Sequence, residues 1–195
     1  MKMAHMKQLS FIQGGGKGVH DAWDHKLVAS LAQALGPAYA IRYPRMPNEA
    51  APDAAAWKEA IAREIGKLKD GLILVGHSVG AAVLLDYLAD DAQERRMERR
   101  IERCVAGVFL IAAPFIGDGG WPSEDLRPTA EVARALHGGE ALHFYQGSDD
   151  ETVPFAHLEM FETVFPGATV RRPERRNHQL NDDLSEVARD ITLLK

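Results

Sequence analysis

The chain has 195 residues, 46% of them apolar and 26% charged, so it is long enough to bury a sizeable core and does not carry the composition of a disordered chain. Its formal net charge of −5 removes any general attraction to nucleic acid or to anionic lipid. One cysteine, Cys104, excludes an internal disulfide and a multi-cysteine zinc site; it leads into the apolar run Val105–Ala113, where a buried, inert thiol is expected.

The opening stretch MKMAHMKQLS lacks the apolar segment of a secretory leader, and no apolar run approaches the length that crosses a bilayer. The expectation is a cytoplasmic protein of a single domain, residues 1–195, without a membrane partner.

In chain order, apolar runs of strand length alternate with longer amphipathic stretches. Gln8–Gln13 reads as a strand, Asp21–Leu35 as a helix stopped by Gly36-Pro37, and Tyr39–Tyr43 as a second strand. Pro52-Asp53 opens a helix over Asp53–Lys69, and Asp70-Gly71 turns it into the strand Leu72–Gly76. A helix over Val79–Asp90 follows. The charged stretch Arg95–Arg103 places Met97, Ile101 and Val105 at helical spacing and reads as a solvated helix face rather than a nucleic-acid patch. The strands Val105–Ala112, Ala141–Gln146 and Ala168–Arg171 then alternate with helices over Phe155–Phe165 and Asp182–Leu194. Leu72 to Val75 and Val108 to Ile111 are unbroken apolar runs, as in central strands covered on both faces. The pattern is one of repeated βα units and predicts an α/β fold, with an open, mostly parallel sheet of about six strands between two layers of helices.

The sharpest motif is Gly76-His77-Ser78-Val79-Gly80, a G-x-S-x-G pentapeptide. As a bare pattern it arises by chance in roughly one chain in fifteen of this size. Here it follows a strand and opens a helix, which is where a nucleophile on a strained strand-to-helix turn stands clear of the sheet. A serine hydroxyl needs an adjacent base that is itself oriented by an acid, and around this pentapeptide the partners follow in the order serine, acid, histidine. Of the eight histidines, His137, His143, His157 and His178 follow Ser78. His137 precedes a strand, His143 lies within it, and His157 is too near the Asp149-Asp150 turn to be a separate arm. His178 lies between the last strand and the last helix, in a loop that can hang an imidazole over the serine.

The acid belongs in a turn at a strand end, a requirement met by Gly147 to Pro154. The D-x-x-V-P register favours Asp150 over Asp149, and Asp118, one strand earlier, is a remote candidate. After the first strand, the glycines 14, 15, 16 and 18 let the backbone approach a ligand. An amide of Gly15 or Gly16, with that of Val79, is expected to form an oxyanion hole. Their spacing gives neither G-x-x-x-x-G-K-[ST] nor G-x-G-x-x-G, so a phosphate loop is not expected. The basic cluster Arg171 to Arg176 reads as a solvated loop, with contact to an anionic substrate as the alternative.

These motifs, from Phe11-Ile12-Gln13-Gly14 through Gly76-His77-Ser78-Val79-Gly80 and Ser148 to Pro154 as far as His178, resemble the α/β-hydrolase superfamily over nearly the full length. More closely, the chain is similar to small lidless serine hydrolases that include the retinoblastoma-binding protein homologues. The resemblance implies a reduced α/β-hydrolase fold without a cap domain, the triad Ser78, Asp150 and His178, and a metal-independent, carboxylesterase-like serine hydrolase acting on small carboxylic esters through an acyl-enzyme. The sequence departs from the pattern at Gln13, where histidine is common, and at Asn177, where glycine often stands. Phe115, Ile116 and Trp121 are candidates to line a shallow acyl pocket, with core or surface packing as the alternative for each. No cofactor or metal is expected; the partner is a small acyl ester rather than nucleic acid or membrane, and a homodimer is left open. A thioesterase or acyltransferase using the same triad, and an interaction module on an idle scaffold, are the competing readings.

Overall fold

The computed structural model describes residues 6–68, 71–98, 105–136 and 142–194. Cys104, His137, Asp70, Ala141 and residues 99–103 of the charged stretch lie outside the described residues.

The strands are β1 (Lys7–Ile12), β2 (Tyr39–Arg42), β3 (Leu72–His77), β4 (Val105–Ile111), β5 (Leu142–Tyr145) and β6 (Thr169–Arg171). They form one six-stranded sheet in the order β2-β1-β3-β4-β5-β6, with every pairing parallel. The helices are α1 (His25–Leu35), α2 (Ala54–Ile65), α3 (Val79–Glu98), α4 (Thr129–Ala135), α5 (Ala156–Val164) and α6 (Ser185–Thr192). This is the expected α/β arrangement.

The period of two along each strand divides the core between the faces. Leu9, Phe11, Ile73, Val75, Phe109 and Ile111 pack with Leu27 and Leu31 of α1 and with Val187 and Ile191 of α6. Leu72, Leu74, Val108, Leu110, Leu142 and Phe144 pack with residues of α2, α3, α4 and α5 on the other face. Leu74, Val75, Phe109 and Leu110 are fully buried, each contributing on the order of 1.5–3 kcal/mol by leaving water. Central strands enclosed on both sides explain why those runs are unbroken in the sequence.

Several elements differ from expectation. The first helix opens as a π-helical turn, His20–Asp24, before α1 proper. α3 runs on to Glu98, so Arg95 and Met97 are helical, whereas Val105 starts β4 and does not continue their spacing. α4 was not expected: it is a single short amphipathic piece in a stretch rich in Gly and Pro. α6 begins only at Ser185, because Leu180, Asn181 and Asp182 have φ of 48°, 56° and 58° and cannot belong to a right-handed helix.

Because all strands run the same way, their carboxyl ends share one edge, where loops gather. The chain leaves β1 for β2 on one side and returns to β3 on the other, so the loops after β1 and β3 diverge at a switch point of the kind that holds ligands in open sheets. Between β4 and α4 lies a short excursion, not a cap. It is clamped from below: Arg127 donates to Asp86 Oδ1 at 2.7 Å and to the Asp86 carbonyl at 2.8 Å, and Lys58 Nζ stands 2.5 Å from Asp86 Oδ2. Asp90 shares both cations at 2.8 Å. Among the described residues, no helix is long and apolar enough to cross a membrane.

Asp86 is 2% exposed, and it ties α2, α3 and the excursion together. Asp86→Ala is expected to lower stability by roughly 1–3 kcal/mol, since its cations keep Asp90 and partial access to water. Urea unfolding checks this as a lower midpoint at unchanged slope; an unshifted midpoint would show that the clamp contributes nothing.

Candidate active site

β3 passes into α3 through Ser78, whose φ of 52° is in the left-handed region that costs a non-glycine residue on the order of 1–2 kcal/mol. The turn is held by its surroundings. The Ser78 amide donates to the Ile111 carbonyl at 2.8 Å, and the Ser78 carbonyl accepts from the Ala81 amide at 3.0 Å. The flanking glycines are there for contact. A Cβ on Gly76 would lie 2.7 Å from Ala81 Cα, and one on Gly80 would lie 2.0 Å from the Gln13 carbonyl oxygen.

Ser78 Oγ lies 3.0 Å from His178 Nε2, and His178 Nδ1 lies 3.0 Å from both carboxylate oxygens of Asp150. The serine stands at the end of β3, the aspartate in the turn after β5, and the histidine in the loop between β6 and α6. The Thr152 and Val153 amides both donate to Asp150 Oδ1 at 2.9 Å, and Gln146 Nε2 donates to Oδ2 at 3.3 Å. Burial opposes a charge on Asp150, but His178 and these amides outweigh it and hold the carboxyl below its ordinary range. The turn after β5 and the loop before α6 are also pressed together: a Cβ on Gly147 would stand 2.0 Å from the Arg176 carbonyl oxygen.

The other candidates lie elsewhere. The Asp149 carboxylate accepts from Ser148 Oγ at 2.8 Å, while its amide donates to the Arg176 carbonyl. Asp118 lines a cavity between α4 and α5. His157 Nδ1 accepts from the Phe115 amide at 2.9 Å, and burial pushes its pKa down, so it is a neutral structural imidazole. His143, half-buried on β5, stacks on Phe109.

Around the glycine loop the amides divide. Gly14 donates to Asp24 Oδ2 at 2.7 Å, and Gly16 donates to the Glu49 carbonyl at 2.6 Å. Gly16, expected as an oxyanion donor, is therefore committed to holding the loop. Gly15 lies against Val79, where a Cβ would be 2.7 Å from Val79 Cγ1, and among the described residues the amides of Gly15 and Val79 meet no protein acceptor. Gln13 fills the common histidine position as a fixed support: Nε2 donates to Glu49 Oε2 at 2.7 Å and Oε1 accepts from the Met46 amide at 3.0 Å. Glu49 also accepts from the Gly18 and His20 amides at 3.1 Å each. The sequence reading missed this glutamate, as it missed Asp24 and His77 beneath the site. No local pattern marks them, since their partners are far along the chain.

Phe115 and Ile116 line a cavity of about 430 Å³ shared with Pro128, Met160 and Val164. Trp121 is not part of it; its ring packs edge-on to His157 at 5.8 Å between centroids. In the basic cluster, Arg171 pairs with Asp190 at 3.0 Å, Arg172 with Glu162, and Arg176 with Asp183 at 2.7 Å. These charges are spent within the protein, as a structural loop requires.

Over residues 11–192 the chain matches the family described as the alpha/beta hydrolase family. It belongs to that family. Among solved structures, the ydeN gene product of B. subtilis superposes with a TM-score of 0.70 at 17% identity, covering 95% of this chain and 97% of that one. Est1E from Butyrivibrio proteoclasticus gives 0.69 at 12% identity, over 97% of this chain and 88% of that one. XC6422 from Xanthomonas campestris, described as a serine hydrolase without lid, gives 0.61 at 20% identity, over 97% and 80%. Among curated proteins nothing matches. Among the described residues, the clamped excursion between β4 and α4 is too short to form a cap domain.

The Asp150 carboxyl is held below its ordinary value of 3.8, so it stabilises the fold above that pH and loses its contribution as pH falls through the lower folded value. Thermal melts between pH 2 and 7 should therefore show a shallower acid decline for Asp150→Asn than for the unmodified protein. Parallel declines would contradict the assignment of a depressed carboxyl at this position.

Proposed function

We propose that the protein is a metal-independent serine hydrolase of small carboxylic esters, with Ser78 as nucleophile, His178 as general base and Asp150 as the orienting acid. The observation that carries the reading is the unbroken line of contacts from Ser78 Oγ through the His178 ring to Asp150, 3.0 Å at each step. With Asp150 accepting the Nδ1 proton, the free lone pair of the imidazole is Nε2, which faces the hydroxyl it must deprotonate.

The chemistry follows from the placement. As Ser78 Oγ attacks an ester carbonyl carbon, its proton passes to His178 Nε2, and Asp150 stabilises the imidazolium. The carbonyl oxygen gains the negative charge, and the amides of Gly15 and Val79 are the donors offered to it. His178 then returns the proton to the departing alkoxide, leaving an acyl group on Ser78. A water deprotonated by His178 attacks the acyl carbonyl, and His178 returns that proton to Ser78 Oγ as the acyl–oxygen bond breaks, releasing the acid and restoring the serine.

Among neighbouring structures, one is an esterase domain from a Rhodothermus marinus protein, and Est1E is seen with ferulic acid, a carboxylic acid, bound. We carry the ester class to this chain as a proposal, together with the likeness to retinoblastoma-binding protein homologues and a cytoplasmic setting; an acyl pocket at Phe115 and Ile116 is not carried over, because none of Ser78, Asp150 and His178 lines the cavity those two share with Asp118.

Initial rates on p-nitrophenyl esters of rising acyl length test the reading. Ser78→Ala and His178→Ala should each lower kcat by about a thousandfold or more, and Asp150→Asn by about a hundredfold or more. Asp149→Asn should stay within about threefold of the unmodified enzyme, since the Asp149 carboxylate bonds to Ser148 and to neither His178 nor Ser78. Folded Ser78→Ala protein that keeps full turnover would end the proposal, and the reverse ranking of the aspartates would move the acid to Asp149.

A further inference from the structure

Directly beneath the three proposed residues lies a second acid–imidazole pair that the reaction scheme does not use. Asp24 closes the π-helical turn before α1 and is fully buried; His77, the last residue of β3 and the neighbour of Ser78, is 1% exposed. Asp24 Oδ2 accepts from the Gly14 amide at 2.7 Å and lies 3.1 Å from His77 Nδ1, with Oδ1 at 3.0 Å from the same nitrogen. The other ring nitrogen, His77 Nε2, lies 3.2 Å from the carbonyl oxygen of His178. The two rings are 4.9 Å apart between centroids.

A carboxylate and a carbonyl can only accept, so both nitrogens of His77 carry hydrogen and the ring is an imidazolium. Burial opposes that charge, and the Asp24 carboxylate overcomes it, holding His77 above the ordinary histidine range. An ion pair in this position is a poor way to gain stability, because apolar side chains of similar size do as well or better. What it supplies is geometry. Its hydrogen bonds reach the loop that presents Gly15, the strand end that carries Ser78 and the main chain of His178, three segments far apart along the chain. On the other side of His178, the amide donates to Glu151 Oε2 at 3.3 Å.

We propose that Asp24 and His77 are positioning residues: the pair fixes the His178 main chain through its carbonyl, so that the imidazole meets Ser78 and Asp150 at once, and it fixes the oxyanion loop through Gly14. The inference rests on the roles of Ser78, His178 and Asp150 proposed above.

Two substitutions at His77 separate positioning from mere packing. The amide nitrogen of Gln occupies the place of Nε2, and that of Asn the place of Nδ1. His77→Gln therefore keeps a donor for the His178 carbonyl, and His77→Asn keeps only the contact to Asp24. The proposal predicts that kcat on p-nitrophenyl acetate stays within about threefold for His77→Gln and falls about ten- to a hundredfold for His77→Asn, with KM within about twofold in both. Equal losses in the two variants at equal folded fraction, or wild-type kcat in His77→Asn, would overturn it. If His77→Asn does not fold, Asp24→Asn takes its place. It keeps an acceptor for Gly14 but frees the His77 ring, and a kcat lowered about tenfold at unchanged KM supports the proposal, whereas wild-type kcat defeats it.

A proton NMR measurement judges the pair without any turnover. The Nδ1 proton of His178, assigned by its loss in His178→Ala, should be slow to exchange in the unmodified protein and in His77→Gln, and lost to exchange in His77→Asn, or in Asp24→Asn where that variant stands in. Its persistence in the latter variant, or its loss from folded His77→Gln, would overturn the proposal. Wild-type protein with the protected proton but no esterase activity would fail the functional reading and leave the positioning role standing.

Discussion

A methyl group at position 80 would stand 2.0 Å from the carbonyl oxygen of Gln13, and much of the site follows from that closeness. The start of α3 is pressed against the end of β1, two elements whose strands are neighbours in the sheet but are separated in sequence by β2 and α2. The contact turns the chain sharply at Ser78, into a backbone conformation that a serine adopts only when its surroundings impose it. It also sets the first amide of α3 beside Gly15. Glycine at 76 and 80 is the condition for both results.

Electrostatics then divides the labour among buried acids. Asp150 keeps its charge against desolvation because an imidazole and two amides point at it. Asp24 keeps its own through His77 and the Gly14 amide. Glu49 holds the glycine loop from the solvent side through the amides of Gly18 and His20 and the side chain of Gln13. Asp24 and Glu49 hold the glycine loop after β1 from its two ends, and Asp150 orders the turn after β5. The excursion after β4 is held by a fourth, Asp86 of α3. The rigidity of the edge therefore comes from ion pairs and amide donors rather than from a covering domain.

What was legible in the sequence was whatever depends on neighbouring residues. Unbroken runs such as Leu72 to Val75 announce central strands, and the G-x-S-x-G pentapeptide announces its turn because the glycines act within the turn itself. The order of Ser78, Asp150 and His178 was legible because topology fixes which loops meet. α4 was missed because seven residues carry too little periodicity to stand out from the Gly and Pro around them. The loop glycines were only partly resolved: any of their amides could face a substrate, and only the acceptors at Asp24 and Glu49 show that Gly14 and Gly16 do not. Asp24, Glu49 and His77 were illegible for the same reason, since each is defined by a partner far along the chain. Trp121 looked like a pocket wall because exposed and packed tryptophans read alike in a sequence.

The central claim is that Ser78 is a nucleophile activated by His178, and covalent trapping tests it most directly. The protein is treated with a fluorophosphonate, digested, and its adducts located by mass spectrometry. The account predicts one phosphonyl group, on the peptide and side chain of Ser78, formed rapidly in the unmodified protein and lost in folded His178→Ala. An unlabelled Ser78, or labelling that proceeds at the same rate without His178, would contradict it.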